Sequence, residues 1–185
     1  MITLYPTDTL YGLGVRATDS QAILRLKELK GSDETKHFSI VVFDIEMMRE
    51  YAEVTPLAQK LIKKFLPGKL TLILCAKPRL RTSGIVAEDG SIGVRIPDHP
   101  VPLELVKKLG VPITATSANV SGMKTEKTVD KILKQFGERA SWIDEVIDGG
   151  ELSASEPSAV VDARGDTPII IREGAISKEE IEELL

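Results

Sequence analysis

Cysteine is nearly missing from this chain: Cys75 is the single one in 185 residues, so no intrachain disulfide can form. Its place in the apolar run 70–75 marks it as a small core residue rather than a nucleophile. Histidine occurs twice, at His37 and His99, and with no second cysteine this argues against a structural zinc site. Aromatic residues make up 4% of the chain, too few for a platform that stacks single-stranded nucleic acid. A formal net charge of -4 speaks against coating nucleic acid by bulk positive charge. No apolar run approaches the ~20 residues needed to cross a bilayer, and no basic-then-apolar leader opens the sequence. A cytoplasmic protein with no membrane partner is therefore expected. The Gly-rich phosphate loop that ends in Gly-Lys-Ser/Thr is absent too.

What is present is a hydrophobic content of 42% with no Gly/Ser-rich linker, which predicts a single domain over 1–185. Strand-like and helix-like segments alternate. Strands are expected at 2–5, 37–43, 70–76, 92–96, 111–115, 160–161 and 169–171. Asp19 or Ser20 can cap a helix whose apolar face carries Ile23, Leu26 and Leu29. Thr55-Pro56 opens a second helix, with Leu57, Leu61, Ile62 and Phe65, and Pro67-Gly68 stops it. Further helices are expected at 101–109, ended by Gly110, and at 128–136, ended by Gly137. A capping box at Ser177–Glu180 opens a terminal helix. The pattern predicts an α/β fold with a mixed sheet. Polar stretches at 31–36, 123–127 and 149–158 read as solvated loops, or one of them as a lid.

Two segments concentrate the polar chemistry. Pro6-Thr7-Asp8-Thr9-Leu10-Tyr11-Gly12-Leu13-Gly14 packs side-chain oxygens, an aromatic ring and two glycines into nine residues. It reads either as a hydrogen-bonded turn or as a wrap around a small polar ligand. Gly12-Leu13-Gly14-Val15-Arg16-Ala17 imitates a dinucleotide fingerprint. However, six residues separate the first strand from Gly12, whereas that fingerprint enters its glycines directly from a strand. The second segment is Thr116-Ser117-Ala118-Asn119-Val120-Ser121-Gly122, again after an apolar run. Arg95 and Arg172 each lie at an apolar strand, where a guanidinium needs an anion from the protein or from a ligand. Lys27, Lys30 and Lys36 flank a polar loop, either as helix-end cations or as contacts to a polyphosphate.

In order, these motifs resemble the YrdC/Sua5 family of threonylcarbamoyl-adenylate synthases. The marks are Pro6 to Gly14, Leu29-Lys30, Gly93-Val94-Arg95-Ile96-Pro97, Ser117-Ala118-Asn119-x-Ser121-Gly122, Pro157-Ser158-x-Val160-Val161-Asp162 and Ile171-Arg172-x-Gly174-x-Ile176. They run from residue 3 to 176. The resemblance implies an open twisted mixed sheet with flanking helices around a large, positively lined cavity. It also implies a reaction in which L-threonine, bicarbonate and ATP give threonylcarbamoyl-AMP and pyrophosphate, for the t6A modification of tRNA. A separate, downstream threonylcarbamoyl transferase would use the product.

Carried over position by position, the resemblance sets Thr9, Arg95, Ser117 and Ser158 around threonine, with Arg95 on its carboxylate. Lys30, Lys36, Ser91, Asn119, Thr128 and Arg172 would surround ATP, Tyr11 would form a wall, and Lys30 and Arg95 would neutralise charge in the reaction. No covalent nucleophile and no protein-held metal are implied; Mg2+ would arrive with ATP. Phosphoryl-type transfer of this kind rests on positioning and charge neutralisation. The chain departs from the family at Ser32, where an arginine is expected, at His37, where a proline is usual, and at Ala159, where threonine is usual. It also starts close to the first strand and ends at Leu185, which fits the short form. Two alternatives stand beside the synthase: an RNA-binding member using Lys60, Lys63, Lys64 and Lys69, and a domain that makes a carbamoyl-adenylate from carbamoyl phosphate.

Overall fold

Alternation along a strand sends successive side chains to opposite faces, so a short strand can serve a core and a ligand at once. The computed structural model describes residues 1–184 except 33–36, 82 and 154. Its strands are β1 (Thr3–Tyr5), β2 (Gly12–Gly14), β3 (Ser39–Val41), β4 (Leu70–Cys75), β5 (Ser91–Arg95), β6 (Ile113–Ser117), β7 (Glu145–Val146), β8 (Ala159–Asp162) and β9 (Ile169–Arg172). They form one open sheet in the order β7-β1-β2-β6-β3-β5-β4-β8-β9. The β1/β7, β3/β5 and β4/β8 pairs are parallel and the others antiparallel, which makes the expected mixed sheet.

The helices are α1 (Ser20–Lys30), α2 (Ile45–Tyr51), α3 (Pro56–Phe65), α4 (Pro78–Arg81), α5 (Pro100–Leu109), α6 (Val129–Phe136) and α7 (Lys178–Glu182). Their ends follow local chemistry. The Asp19 carboxylate accepts from the Ala22 N–H, Thr55 caps α3 ahead of Pro56, and Ser177 with Glu180 completes a capping box. Gly31 and Gly110 close α1 and α5 with left-handed backbone, which a side chain would strain. Helix α2 lies where no helix was expected. Asp44 caps it through the Met47 N–H, and it buries Met48 and Tyr51.

One face of the sheet holds the main core. Leu4, Leu13, Ile40, Leu72, Val94 and Val161 point to that side and meet Ile23 and Leu26 of α1 and Leu57 and Leu61 of α3. On the other face Tyr5, Val41 and Ile113 pack against Val106 of α5. The rest of that second face is the floor of a cleft. Cys75 is half-buried at the end of β4 rather than fully in the core.

The glycines of β2 have a packing reason. A Cβ on Gly14 would lie 2.8 Å from the Tyr5 ring, and one on Gly12 would lie 3.0 Å from it. The ring lies across the neighbouring strand, and its hydroxyl donates to the Thr114 carbonyl at 3.1 Å. The sequence from Pro6 to Gly14 predicts a turn or a ligand wrap; its last three residues are a strand because Tyr5 supplies the side-chain cover that their glycines lack.

Candidate functional site

The turn between β1 and β2 is built on one hydroxyl. Thr7 Oγ1 donates to the Leu10 carbonyl at 2.6 Å and accepts from the N–H groups of Thr9 and Leu10 at 3.1 Å. The hydrogen-bonded turn and the ligand wrap are thus compatible: the turn presents Thr9 to the cleft. Arg95, the last residue of β5, fixes it from below. Its Nη1 donates to Thr9 Oγ1 at 3.1 Å, its Nη2 to Asp8 Oδ1 at 2.7 Å, and its Nε to the Gly68 carbonyl at 3.0 Å. Both members of the Asp8–Arg95 ion pair are about nine-tenths buried, at 9% and 10% side-chain exposure. Burial pulls the Arg95 guanidinium below its ordinary pKa, and Asp8 opposes that pull.

The cleft above has a volume of about 590 Å3, within the roughly 300–1,000 Å3 range of small-molecule sites. Its floor follows the pleat: Ser39 and Val41 from β3, Ala115 and Ser117 from β6, Thr71 from β4, and Val160 from β8. The cationic side chains on the described lining are Arg95, Arg172 and Lys124, and the His37 ring lines it as well. Among the described residues, no carboxylate lines it. A smaller pouch of about 330 Å3 opens beside it, under the loops 124–127 and 152–156, and shares Thr9, Leu10, Lys124, Thr125 and Ser155 with it.

Arg172 reaches this face through a β-bulge. In the β8–β9 pairing Ile170 stands opposite Val161, yet Arg172, two residues on, stands opposite Val160. Ile171 is the extra residue. Val161 lies in the core and Val160 lines the cleft, so the bulge turns Arg172 from the core side to the cleft side. There its Nη2 donates to the Ser158 carbonyl at 2.7 Å. No described carboxylate pairs with it. Burial lowers its pKa first, and the Arg95 charge lowers it further. Two guanidinium groups that repel one another across a cleft with no carboxylate on its described lining favour an anionic ligand.

The structure sorts the expected site residues. Thr9, Arg95, Ser117, Asn119, Ser158 and Arg172 all line the cleft. Ser158 Oγ shares a 2.9 Å hydrogen bond with Thr71, and Asn119 Nδ2 donates to the Val120 and Met123 carbonyls, holding the loop after β6. Tyr11 forms part of the wall: its hydroxyl donates to the Gly150 carbonyl and accepts from the Gly149 N–H, each at 2.8 Å. Burial raises its pKa.

Lys30 is elsewhere than expected. It is 1% exposed, beneath the floor, with its ammonium on the Ser117 carbonyl and, at 2.8 Å, on the Asn119 carbonyl. Ser91 opens β5 at the end opposite Arg95, roughly 13 Å away at about 3.3 Å per residue, and is off the lining. Its N–H instead meets Asp89 at 3.0 Å, within the Asp89–Arg164–Asp162 cluster. Thr128 precedes α6 and is also off the lining, whereas Lys124 and Thr125 of the same loop are on it. Lys36 lies outside the described residues. Lys60, Lys63 and Lys64 ride the exposed side of α3, opposite Leu57, Leu61 and Ile62.

Sequence reasoning passed over Asp8 as the partner of Arg95, and Thr71, Ser39 and His37 as lining. A single threonine inside the apolar run 70–74 was the available signal for Thr71.

A family model for the Sua5, YciO and YrdC proteins, described as "Telomere recombination", matches residues 1–174. The chain belongs to the Sua5/YciO/YrdC family. A Methanocaldococcus jannaschii protein, provisionally named threonylcarbamoyl-AMP synthase, is 43% identical over 175 residues, covering 95% of this chain and 80% of that one. The Bacillus subtilis threonylcarbamoyl-AMP synthase is 33% identical over 185 residues, covering 100% of this chain and 53% of that one. The crystal structure of Pyrococcus abyssi Sua5 complexed with L-threonine matches with a TM-score of 0.87 at 34% identity, covering 100% of this chain and 53% of that one. This Sua5/YciO/YrdC chain thus spans about half the length of the Bacillus and Pyrococcus relatives. No helix among its described residues is long and apolar enough to cross a membrane.

Proposed function

We propose that this chain is a threonylcarbamoyl-AMP synthase, a nucleotidyltransferase acting on L-threonine, bicarbonate and ATP. The observation that carries the reading is the pair Arg95 and Arg172 facing one hydroxyl-rich cleft without a described carboxylate, in a chain whose relatives bear that name. Threonine's amine and bicarbonate form a carbamate, and a carbamate oxygen then attacks the α-phosphorus of ATP. The P–O bond to the β-phosphate breaks and pyrophosphate leaves. Every reactant is an anion or carries one, so the demand on the protein is positioning and charge neutralisation.

In this reading Arg95 shares its guanidinium between Asp8 and the threonine carboxylate, with the Thr9, Ser117 and Ser158 hydroxyls placing the rest of the amino acid. Arg172 and Lys124 face the phosphates. Lys30 acts from below, holding the Ser117–Asn119 backbone in place. The lining offers hydroxyls and amides rather than carboxylates, so Mg2+ would come in on the triphosphate, as part of the substrate. The product is an activated mixed anhydride, suited to a separate acyl-type transferase.

The test is pyrophosphate release from Mg·ATP by the purified chain. Release that requires both L-threonine and bicarbonate supports the synthase. A folded chain that releases none, or releases it without threonine, refutes it.

A further inference from the structure

Carbamate formation needs a free amine, and near neutral pH threonine's α-amino group is predominantly an ammonium ion. A proton must therefore leave before the N–C bond forms. The described lining contains no Asp, Glu or Cys to take it. Its two phenols are poor acceptors: burial raises the pKa of both Tyr5 and Tyr11, and both hydroxyls are already hydrogen-bonded. The other charged groups on the described lining are Arg95 from β5, Arg172 from β9 and Lys124 from the loop after β6, all cations, while Glu126 and Glu156 line the adjoining pouch instead. Asp8 is engaged by Arg95 and is off the lining. Among the described lining residues that leaves His37, and imidazole is the side chain best suited to exchange a proton near neutral pH.

Its position suits the task. His37 is exposed at the entry to β3 and lines the cleft with Ser39 and Val41, two and four residues further on. Ser39 pairs with Ala115, and extending that antiparallel register by two residues sets His37 level with Ser117. Ser117 in turn pairs with Gly12, just after the turn that carries Thr9 and its bond to Arg95. His37 and Ser117 thus share one end of the cleft floor, and Arg95, level with Val41 four residues along β3, sends its guanidinium to Thr9 from the other.

We propose that His37 is the proton acceptor for the α-amine of the amino-acid substrate, an inference that rests on the synthase reading. One ammonium proton passes to a ring nitrogen of His37. The freed lone pair forms the N–C bond to bicarbonate, the C–OH bond breaks, and the departing hydroxide takes a second nitrogen proton to leave as water. Threonine ammonium, bicarbonate and neutral imidazole give the carbamate, water and imidazolium, with charge and atoms balanced. The imidazolium then returns its proton to solvent.

The experiment compares wild type with H37Q, a change at an exposed position, for kcat of threonine-dependent pyrophosphate release at about pH 7 and about pH 9. A general base contributes about 100-fold or more, so H37Q should lose on the order of 100-fold at the lower pH. The gap should narrow at the higher pH, where more amine is free without help, and added imidazole should partly restore H37A at the lower pH. An H37Q profile parallel to wild type overturns the inference. Ring resonances of the two histidines give a readout independent of turnover. His99, whose Nδ1 accepts from the Val101 N–H in the cap of α5, is the internal reference. Saturating L-threonine should shift His37 and leave His99 unmoved; bound threonine that moves neither overturns the inference. Absence of pyrophosphate release by wild type sinks the synthase reading instead, and the resonances then judge His37 separately.

Discussion

The Asp8–Arg95 pair allows a sharp test, because its removal can be separated from any ligand. Asp8 Oδ1 holds Arg95 Nη2 at 2.7 Å, while Asp8 Oδ2 is buried with no hydrogen-bond partner. In R95M the carboxylate would lose the partner it has and remain buried with neither oxygen bonded. Removing one member of a buried pair costs about 3–5 kcal/mol. For a chain of this size each kcal/mol moves Tm by about 2–4 °C, so R95M should melt about 6–20 °C lower. The loss comes from the stranded anion, so D8N/R95M should be more stable than R95M alone by at least about 1 kcal/mol, since an amide is cheaper to bury. Urea denaturation of wild type, both single variants and the double variant closes the cycle. An R95M cost below about 1 kcal/mol, or a double variant no better than R95M, would refute the buried-pair reasoning.

Three further outcomes follow from the packing and the charges. G14A should destabilise by about 1–3 kcal/mol, since its Cβ would press on the Tyr5 ring, whereas G165A, with nothing within 4 Å, should melt near wild type. K30M should lower the Tm of the ligand-free chain, each buried carbonyl left bare costing about 1–3 kcal/mol; an unchanged Tm would mean that Lys30 does not support the Ser117–Asn119 backbone. Hydrogen bonds from Ser91 and Arg164 bring Asp89 down to about 2, Arg164 lowers Asp162, and Arg25 lowers Asp144. Folded values below unfolded ones mean stability fully present above about pH 4 and lost as pH falls towards 2. Tm should therefore be flat above about pH 5 and fall below about pH 4, and D162N should soften that fall.

Local chemistry was readable in the chain, and contacts between distant segments were not. Asp19, Thr55-Pro56, Gly110 and the Ser177–Glu180 box mark helix ends because each acts within a few residues of itself. Strand β2 was hidden because glycines have poor strand preference, and what makes them a strand is Tyr5 on the neighbouring strand. Helix α2 did carry a signal, Asp44 followed by buried Met48 and Tyr51, but seven residues is a short run to read. The motif hydroxyls and both arginines were found as residues, and six of the expected site positions do meet at the cleft. Their partners were not found. Asp8 and Arg95 are 87 residues apart, as are Lys30 and the Ser117 carbonyl it holds. The expectation of a phosphate contact for Lys30 therefore gave no sign that its ammonium also holds two main-chain oxygens. Ser91 lies off the described lining for a simpler reason: it occupies the far end of the strand whose near end is Arg95.

The bulge at Ile171 makes strand length as consequential as strand composition. A regular ladder through Ile171 would set Arg172 opposite Ala159 and send its guanidinium into the apolar side, with every functional side chain still encoded; a chain one residue shorter here would reach the cleft with no bulge at all. Replace Ile171 with another residue and the phase survives. When related chains are aligned, the presence of the arginine is then an insufficient criterion. A spacing of two residues from the partner of Val161 to that arginine reaches the cleft only with a bulge, and a spacing of one only without it, so spacing and bulge have to be read together.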